Sequence, residues 1–451
     1  MTNLELAQRA LESAPQGDGT LVSVQSERSL LLRYARSRPT QSTAVDDVTV
    51  EFAVLRDGRV GTASTNATDP DSLAACARQA QAAAEAMARS SGHGTYPGFP
   101  SPRPVRPGDS HDNETARVDP VPGGKALADA FEVAANHGVE AHGTWTVAAV
   151  DRAVASSEGV ALSELTTDAF MKVVCIAPSG RSGYATGTSA RVGDIDPRAL
   201  AERSAAKAAA EGEPEKLEPG EYPVVLERAA VGDLLAMLGW FAFNGLSWVE
   251  DRSALSGRLG ERVAAPAINL SDSPRYPRTL RRGFDAEGVP KSPLPLIQDG
   301  VAQNVVHDTR SAALAEAAST GHALVAGGGA YGPVPTNLVL LGGGAANPEE
   351  LCQPIERGIY VTRLWYLNAV RPKETLLTGV TRDGTFLIED GKVTRPVADM
   401  RFTDSALGLL ERTQALTAEP EATSDGEFYG RRFATAVVCP AIRVSEMRFT
   451  G

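Results

Sequence analysis

Two helix starts written in nearly the same letters constrain the first half of this chain more than any other feature. Asp69-Pro70-Asp71-Ser72-Leu73-Ala74 is matched by Asp196-Pro197-Arg198-Ala199-Leu200-Ala201. In each, the Asp side chain can cap free backbone N–H groups, and Pro at the first helical position loses nothing because its missing N–H had no partner there. Strand-like runs precede both starts: 21–24, 30–34 and 48–55 before the first, 140–154, 160–166 and 169–176 before the second. The helices they open should cover about 71–89 and 198–211, and both are Ala-rich, which allows close approach to a sheet. A further helix is expected over 124–136. The pattern predicts an α+β fold in which an N-terminal α/β domain repeats a β-hairpin and helix unit. It is not a Rossmann pattern, because the strands follow one another in hairpins.

Two stretches break the chain. Residues 92–124 are rich in Pro, Gly, Ser and Asp and read as a long surface loop. Residues 211–223, rich in Glu and Pro, read as a linker. This places the N-terminal α/β domain at 1–215 and a second domain at 222–451. The latter opens with a strand over 222–226 and a helix near 229–243. Short apolar runs then alternate with turns, among them Asp299-Gly300, Asp383-Gly384 and Asp390-Gly391. Asp-Gly between apolar runs signals a hairpin, because Gly accepts a positive φ. The C-terminal domain should therefore be β-rich, a large sheet or barrel-like layer with a few helices.

Charge narrows the functional classes. The 451 residues carry a formal net charge of −12, which argues against a general nucleic-acid binder. The doublets Arg281-Arg282 and Arg431-Arg432 read as solvated surface pairs. The four cysteines, Cys76, Cys175, Cys352 and Cys439, lie far apart with no CxxC, so reduced thiols and a cytoplasmic setting are expected. No stretch approaches the roughly 18 apolar residues of a membrane span. Residues 1–16 lack the apolar core of a secretory signal.

Local motifs for chemistry are few. The six histidines are His93, His111, His137, His142, His307 and His322. His137 and His142 have HxxxxH spacing, but Gly138 reads as a helix end, after which the chain enters a strand, so the rings would not share a face. No GxSxG elbow and no phosphate loop is present. Gly342-Gly343-Gly344 leads to a helix capped by Asn347 and could form a backbone nest for an anion.

The second half carries an ordered set of segments: Ser253-Ala254-Leu255-Ser256-Gly257-Arg258-Leu259-Gly260-Glu261, Phe284-Asp285-Ala286-Glu287-Gly288-Val289, Leu296-Ile297-Gln298-Asp299-Gly300, Ser319-Thr320-Gly321-His322-Ala323, Phe386-Leu387-Ile388-Glu389-Asp390-Gly391-Lys392-Val393, Pro396-Val397, Cys439-Pro440 and Glu446-Met447. In order and spacing it resembles the TldD/PmbA family, also called modulators of DNA gyrase, over roughly 222–451. The first half agrees in architecture alone.

The resemblance implies two kinds of subunit. TldD-type chains carry an HExxxH helix, with a distant Cys as third metal ligand and the Glu as general base. PmbA-type (TldE) chains lack the motif and pair with TldD in a metallopeptidase that degrades or processes unfolded peptides. Here Leu234-Leu235 lead into Ala236-Met237-Leu238-Gly239-Trp240-Phe241, so the two His positions are Ala236 and Phe241 and the Glu position is Met237. A methyl, a thioether and a phenyl ring neither ligate zinc nor take a proton from water. Cys439 matches the third ligand.

The resemblance thus points to a TldE-like chain with no catalytic residues, metal or cofactor of its own. Its partner would be a TldD-like metallopeptidase subunit in a heterodimer, or itself in a homodimer, and its substrate a peptide. Neither nucleic acid nor membrane is expected as a partner. Candidate cleft residues are His322, Cys439 and, from Thr362-Arg363-Leu364-Trp365-Tyr366, Arg363 and Trp365. The aromatic stripe Trp240, Phe241, Phe243 and Trp248 reads as core or interface. Two alternatives stand: a stand-alone homodimeric protein that binds a peptide or small ligand, and a hydrolase with a non-metal site such as Cys439 with His322.

Overall fold

The structure is a computed structural model that describes residues 1–451 other than 16, 93, 425 and 427–431. His93 and Arg431 therefore lie outside the described residues. The first half contains α1 (Asn3–Glu12), β1 (Gly19–Ala35), β2 (Arg38–Arg56), β3 (Arg59–Thr65), α2 (Pro70–Ser91), α3 (Pro120–Asn136), β4 (Glu140–Ser156), β5 (Ala161–Ile176), β6 (Ser182–Ser189) and α4 (Pro197–Ala208).

The two units fuse into one six-stranded sheet in the order β3-β2-β1-β4-β5-β6. Its centre is the antiparallel β1–β4 pair. Runs read as separate strands are single long ones, because the polar residues between Val24 and Leu30 stay in the ladder with both β2 and β4. Alternation then decides the faces. Val22, Val24, Leu30 and Tyr34 on β1, with Trp145, Val147, Ala153 and Ala155 on β4, meet the helices. Leu21 and Val154 point the other way, against Tyr96, Phe99 and Phe284. The Pro/Gly-rich segment thus lines the inner face of the sheet through two buried aromatics.

Asp69 and Asp196 cap α2 and α4 as expected, each accepting from the backbone N–H three residues on. α3 starts a turn earlier than expected, at Pro120 with Asp119 as its cap, a third use of the same device. Both third strands carry a glycine under the following helix. A Cβ on Gly61 would lie 2.2 Å from the Ala80 carbonyl oxygen, and one on Gly183 2.0 Å from that of Ser204. Replacing Gly183 by Val should therefore push α4 off the sheet and cost about 1–3 kcal/mol, measured by urea unfolding.

The second half contains β7 (Gly220–Leu226), α5 (Arg228–Phe241), α6 (Gly245–Val249), β8 (Leu270–Asp272), β9 (Leu294–Gln298), β10 (Val301–Ala302), α7 (Thr309–Leu314), β11 (Leu338–Leu340), α8 (Pro348–Cys352), β12 (Arg357–Arg371), β13 (Leu376–Glu389), β14 (Lys392–Pro396), β15 (Arg401–Ser405), α9 (Ala406–Glu411), β16 (Thr413–Leu416), β17 (Glu421–Thr423), β18 (Val437–Cys439) and β19 (Ile442–Phe449). One sheet runs β10-β9-β8-β11-β18-β17. In the other, β12-β7-β19-β15-β13 closes on itself through β12–β13. The barrel-like layer is thus a closed ring, which removes free strand edges. α5 is wedged between ring and sheet.

Asp299-Gly300 and Asp390-Gly391 make the expected hairpin turns, with positive φ at both residues. Asp383-Gly384 does not turn the chain. It sits inside β13, where the register against β12 shifts between Val361 and Arg363. A Cβ on Gly384 would lie 2.6 Å from Thr362 Oγ1, so glycine here allows a close crossing rather than a turn. One arginine of each doublet also departs from a solvated pair. Arg432 is 5% exposed and ion-paired with Asp168, and Arg282 stacks on Phe433 at 3.9 Å. Each makes its contacts where the inner sheet face meets the second half. Among the described residues no helix is long and apolar enough to cross a membrane.

Candidate functional site

α5 follows β7 directly and buries Val231, Leu234, Leu235 and Leu238, the i, i+3, i+4, i+7 stripe of a core-facing helix. Ala236 and Trp240 lie on the opposite side, exposed, and line a cavity of about 290 Å³. Gly232, Asp233 and Gly239 share that wall. Val334, Pro335, Thr336, Thr423, Ser424 and Val437 form much of the rest. Met237 and Phe241 are half-buried and pack against the core. Of the three positions matched to HExxxH, only Ala236 faces the cavity, and it offers no donor atom.

Cys439 ends β18 at the first turns of α5. It is fully buried, and its Sγ donates to the Arg228 carbonyl at 3.3 Å. Burial pushes its thiol well above the usual cysteine range. With no ligand from Ala236, Met237 or Phe241, a neutral thiol alone does not fit the metal site that the resemblance implies for TldD-type chains. Among the described residues no group of three or more His, Cys, Asp or Glu side chains is placed to hold a metal ion.

His322 is also buried, but its partners are elsewhere. Its Nδ1 meets Thr320 Oγ1 at 2.9 Å and its Nε2 lies 3.1 Å from Asp272 Oδ1. Cys439 and His322 thus spend their polar atoms on different groups, and no thiol–imidazole pair of the kind thiol catalysis needs is formed. Arg363 is held by Asp383 at 3.5 Å and stacks on Tyr184, while Trp365 lies exposed under Arg382. None of His322, Arg363, Trp365 and Cys439 lines the 290 Å³ cavity.

What sequence reading missed is a buried ionic layer behind the cavity wall. Asp272, 0% exposed, lies 3.3 Å from Lys291 Nζ. Its Oδ2 accepts the backbone N–H groups of Thr336 and Asn337, both at 2.8 Å, so the carboxylate fixes the wall segment that leads into β11. Asp285 accepts N–H groups from Glu287, Val289 and Ala323, each at 2.9 Å. Glu287 takes Tyr96 Oη at 3.1 Å and both polar groups of Thr309. The signal was present in two segments already singled out, Phe284–Val289 and Ser319–Ala323. Their role is to pin the 319–324 and 334–338 segments to each other and to the first half.

Comparison with known proteins bears on the same chain regions. The chain matches the PmbA/TldA metallopeptidase C-terminal domain over residues 219–451, domain 1 of that family over 22–84 and its central domain over 118–211. It is 26% identical to the Metalloprotease TldD homolog of Haemophilus influenzae over 242 residues, 51% of this chain and 48% of that one. It is 27% identical over 230 residues to the Metalloprotease PmbA homolog of the same organism, 50% of this chain and 48% of that one. The chain thus spans about half the length of the curated relatives it matches. TldE from Thermococcus kodakarensis shares the fold, with a TM-score of 0.85, 20% identity and 99% coverage of both chains. With the ring, the interposed helix and the ordered motifs of its second half all in place, this chain belongs to the PmbA/TldD metallopeptidase family.

Proposed function

We propose that this chain is a non-catalytic partner subunit of a TldD/TldE-type metallopeptidase complex, completing the substrate chamber around an unfolded peptide. One observation carries the reading. The cavity lies where the family places its metal helix, yet Ala236 alone of the three motif positions faces it, and Met237 and Phe241 belong to the core. What remains suits extended peptide. Thr336, Thr423, Ser424 and Thr435 offer hydroxyls, while Trp240, Val334 and Phe433 offer apolar surface.

Purified chain should carry less than about 0.1 equivalent of zinc, read by metal analysis, because a structural or catalytic zinc needs at least three protein ligands. Co-expressed with a TldD-like chain that keeps HExxxH, it should form a stable complex. Peptidase activity on an unfolded peptide should fall when it is omitted. No complex, or unchanged activity without it, would sink the proposal.

A second reading is a homodimer that binds peptide by itself. It draws on the exposed Tyr331 and Trp240, in edge contact at 6.4 Å beside a neighbouring cavity of about 450 Å³. A peptide-binding dimer seen by sedimentation, indifferent to a TldD-like chain, would favour it over the first.

A further inference from the structure

The β2 side of the first-half sheet is only partly covered. β3 pairs with β2 from Arg56 back to Val50 and ends there, while β1 follows β2 as far as Arg38. Among the described residues, 38–49 of β2 therefore have a strand on one side alone. Every residue from Arg38 to Asp47 is exposed.

Ladder geometry fixes which backbone groups this edge presents. Arg56 and Arg59 flank the two-residue turn Asp57-Gly58, with φ of 48° and 69°, so they form a hydrogen-bonded pair and Arg56 aims its N–H and C=O at β3. Alternation carries that direction back along β2, whose register against β1 is unbroken from Leu55 to Gln41. Ser42, Ala44 and Asp46 therefore aim theirs at the uncovered side. Gln41-Ser42-Thr43-Ala44-Val45 has neither a charge nor a proline to turn another strand away. The guards stand at the ends. Pro39 has no N–H to give and follows Arg38, and Asp46 and Asp47 close the other end.

Charge selects the occupant. A second copy laid parallel and in register would set Arg38 against Arg38 and Asp46 against Asp46, and like charges across a ladder repel. A copy laid antiparallel, about a two-fold axis at Ser42-Thr43, brings Arg38 of each copy to Asp46-Asp47 of the other. We propose that this edge is a self-complementary interface, in which the β2 strands of two copies of this chain pair antiparallel through 41–47 and join their six-stranded sheets into one continuous sheet. None of residues 38–47 lines the 290 Å³ or the 450 Å³ cavity, so the pairing does not depend on the function proposed above.

The test is a charge swap on the whole chain. Sedimentation velocity at rising concentration should show a reversible dimer, with Kd on the order of 1–100 μM for an interface this narrow. Hydrogen exchange at the Ser42, Ala44 and Asp46 amides should slow as the dimer forms. Arg38→Glu should weaken the dimer about tenfold, and so should Asp46→Lys with Asp47→Lys. All three changes in one chain exchange the charges of the two ends and should restore the wild-type Kd. The side chains are exposed, so each variant should keep the wild-type Tm, which checks that it is folded. A chain that stays monomeric above that concentration range, a dimer indifferent to Arg38→Glu, or a triple variant no tighter than the others would overturn the proposal. So would a TldD-like chain whose binding, in place of self-association, is lost with Arg38→Glu, since the edge would then belong to that partner.

Discussion

Replacing Asp272 by Ala is expected to destabilise the chain by about 3–5 kcal/mol, the range seen when one partner of a buried ion pair is removed. Lys291 and His322 both lean on this carboxylate, and both are buried. Without it the Lys291 ammonium keeps a single acceptor, the Gly321 carbonyl at 3.3 Å, and the N–H groups of Thr336 and Asn337 lose theirs. Urea unfolding at neutral pH measures the loss, and a loss below about 1 kcal/mol would refute the account. Adding Lys291→Met should recover part of it, because the orphaned charge goes with the side chain.

The pH profile supplies an independent check. Burial alone would raise the Asp272 carboxyl. Lys291, His322 and the backbone N–H groups outweigh it and hold the carboxyl well below the usual range. Its folded value is thus depressed. The stability it contributes is present above its unfolded value near 4 and is lost as pH falls towards the folded value. Wild type should therefore lose stability steeply below about pH 4, and the Asp272→Ala variant less steeply.

The secondary-structure frame was readable because it rests on local chemistry. Asp-Pro starts, alanine helices and alternating strands are written residue by residue, and the sheet and α5 follow from them. Even so, the third strand of each unit escaped notice. Arg59–Thr65 and Ser182–Ser189 are short and rich in small or polar residues, and their glycines serve the packing of a helix rather than a turn. Asp383-Gly384 failed for a related reason, since the dipeptide marks a backbone that admits positive φ and does not say whether the chain reverses there.

At the candidate site the erased ligands were legible, because Ala, Met and Phe state by themselves what they cannot do. The contacts of Arg282 and the burial of Arg432 were not. Their partners lie far away in sequence, Phe433 for Arg282 and Asp168 for Arg432, the latter 264 residues distant. The ionic layer shows the same limit. Phe284–Val289 was visible as a motif, but that Asp285 and Glu287 face inwards follows only when Tyr96, Thr309 and Ala323 are placed around them.

That inward pair carries the second large effect. Burial and the charge of Asp285 push the Glu287 carboxyl up to about 8, and burial pushes Asp285 up to about 6. Asp285, with three backbone N–H groups, is the better host for the negative charge, so Glu287 holds the proton at neutral pH. Its folded value is raised above the unfolded one near 4.5. The favourable contribution is therefore complete below about pH 4.5 and is lost as pH rises towards 8. Glu287→Gln keeps the shape, lets its oxygen accept from Thr309 and its amide donate to the Tyr96 oxygen, and cannot ionise. At pH 8.5 the variant should exceed wild type in stability by on the order of 2–4 kcal/mol, while near pH 5 the two should differ by less than about 1 kcal/mol. Urea titrations at the two pH values read this difference directly. A variant less stable than wild type at pH 8.5 would mean that the Glu287 carboxylate is ionised and paired in the fold, and would move the proton to Asp285.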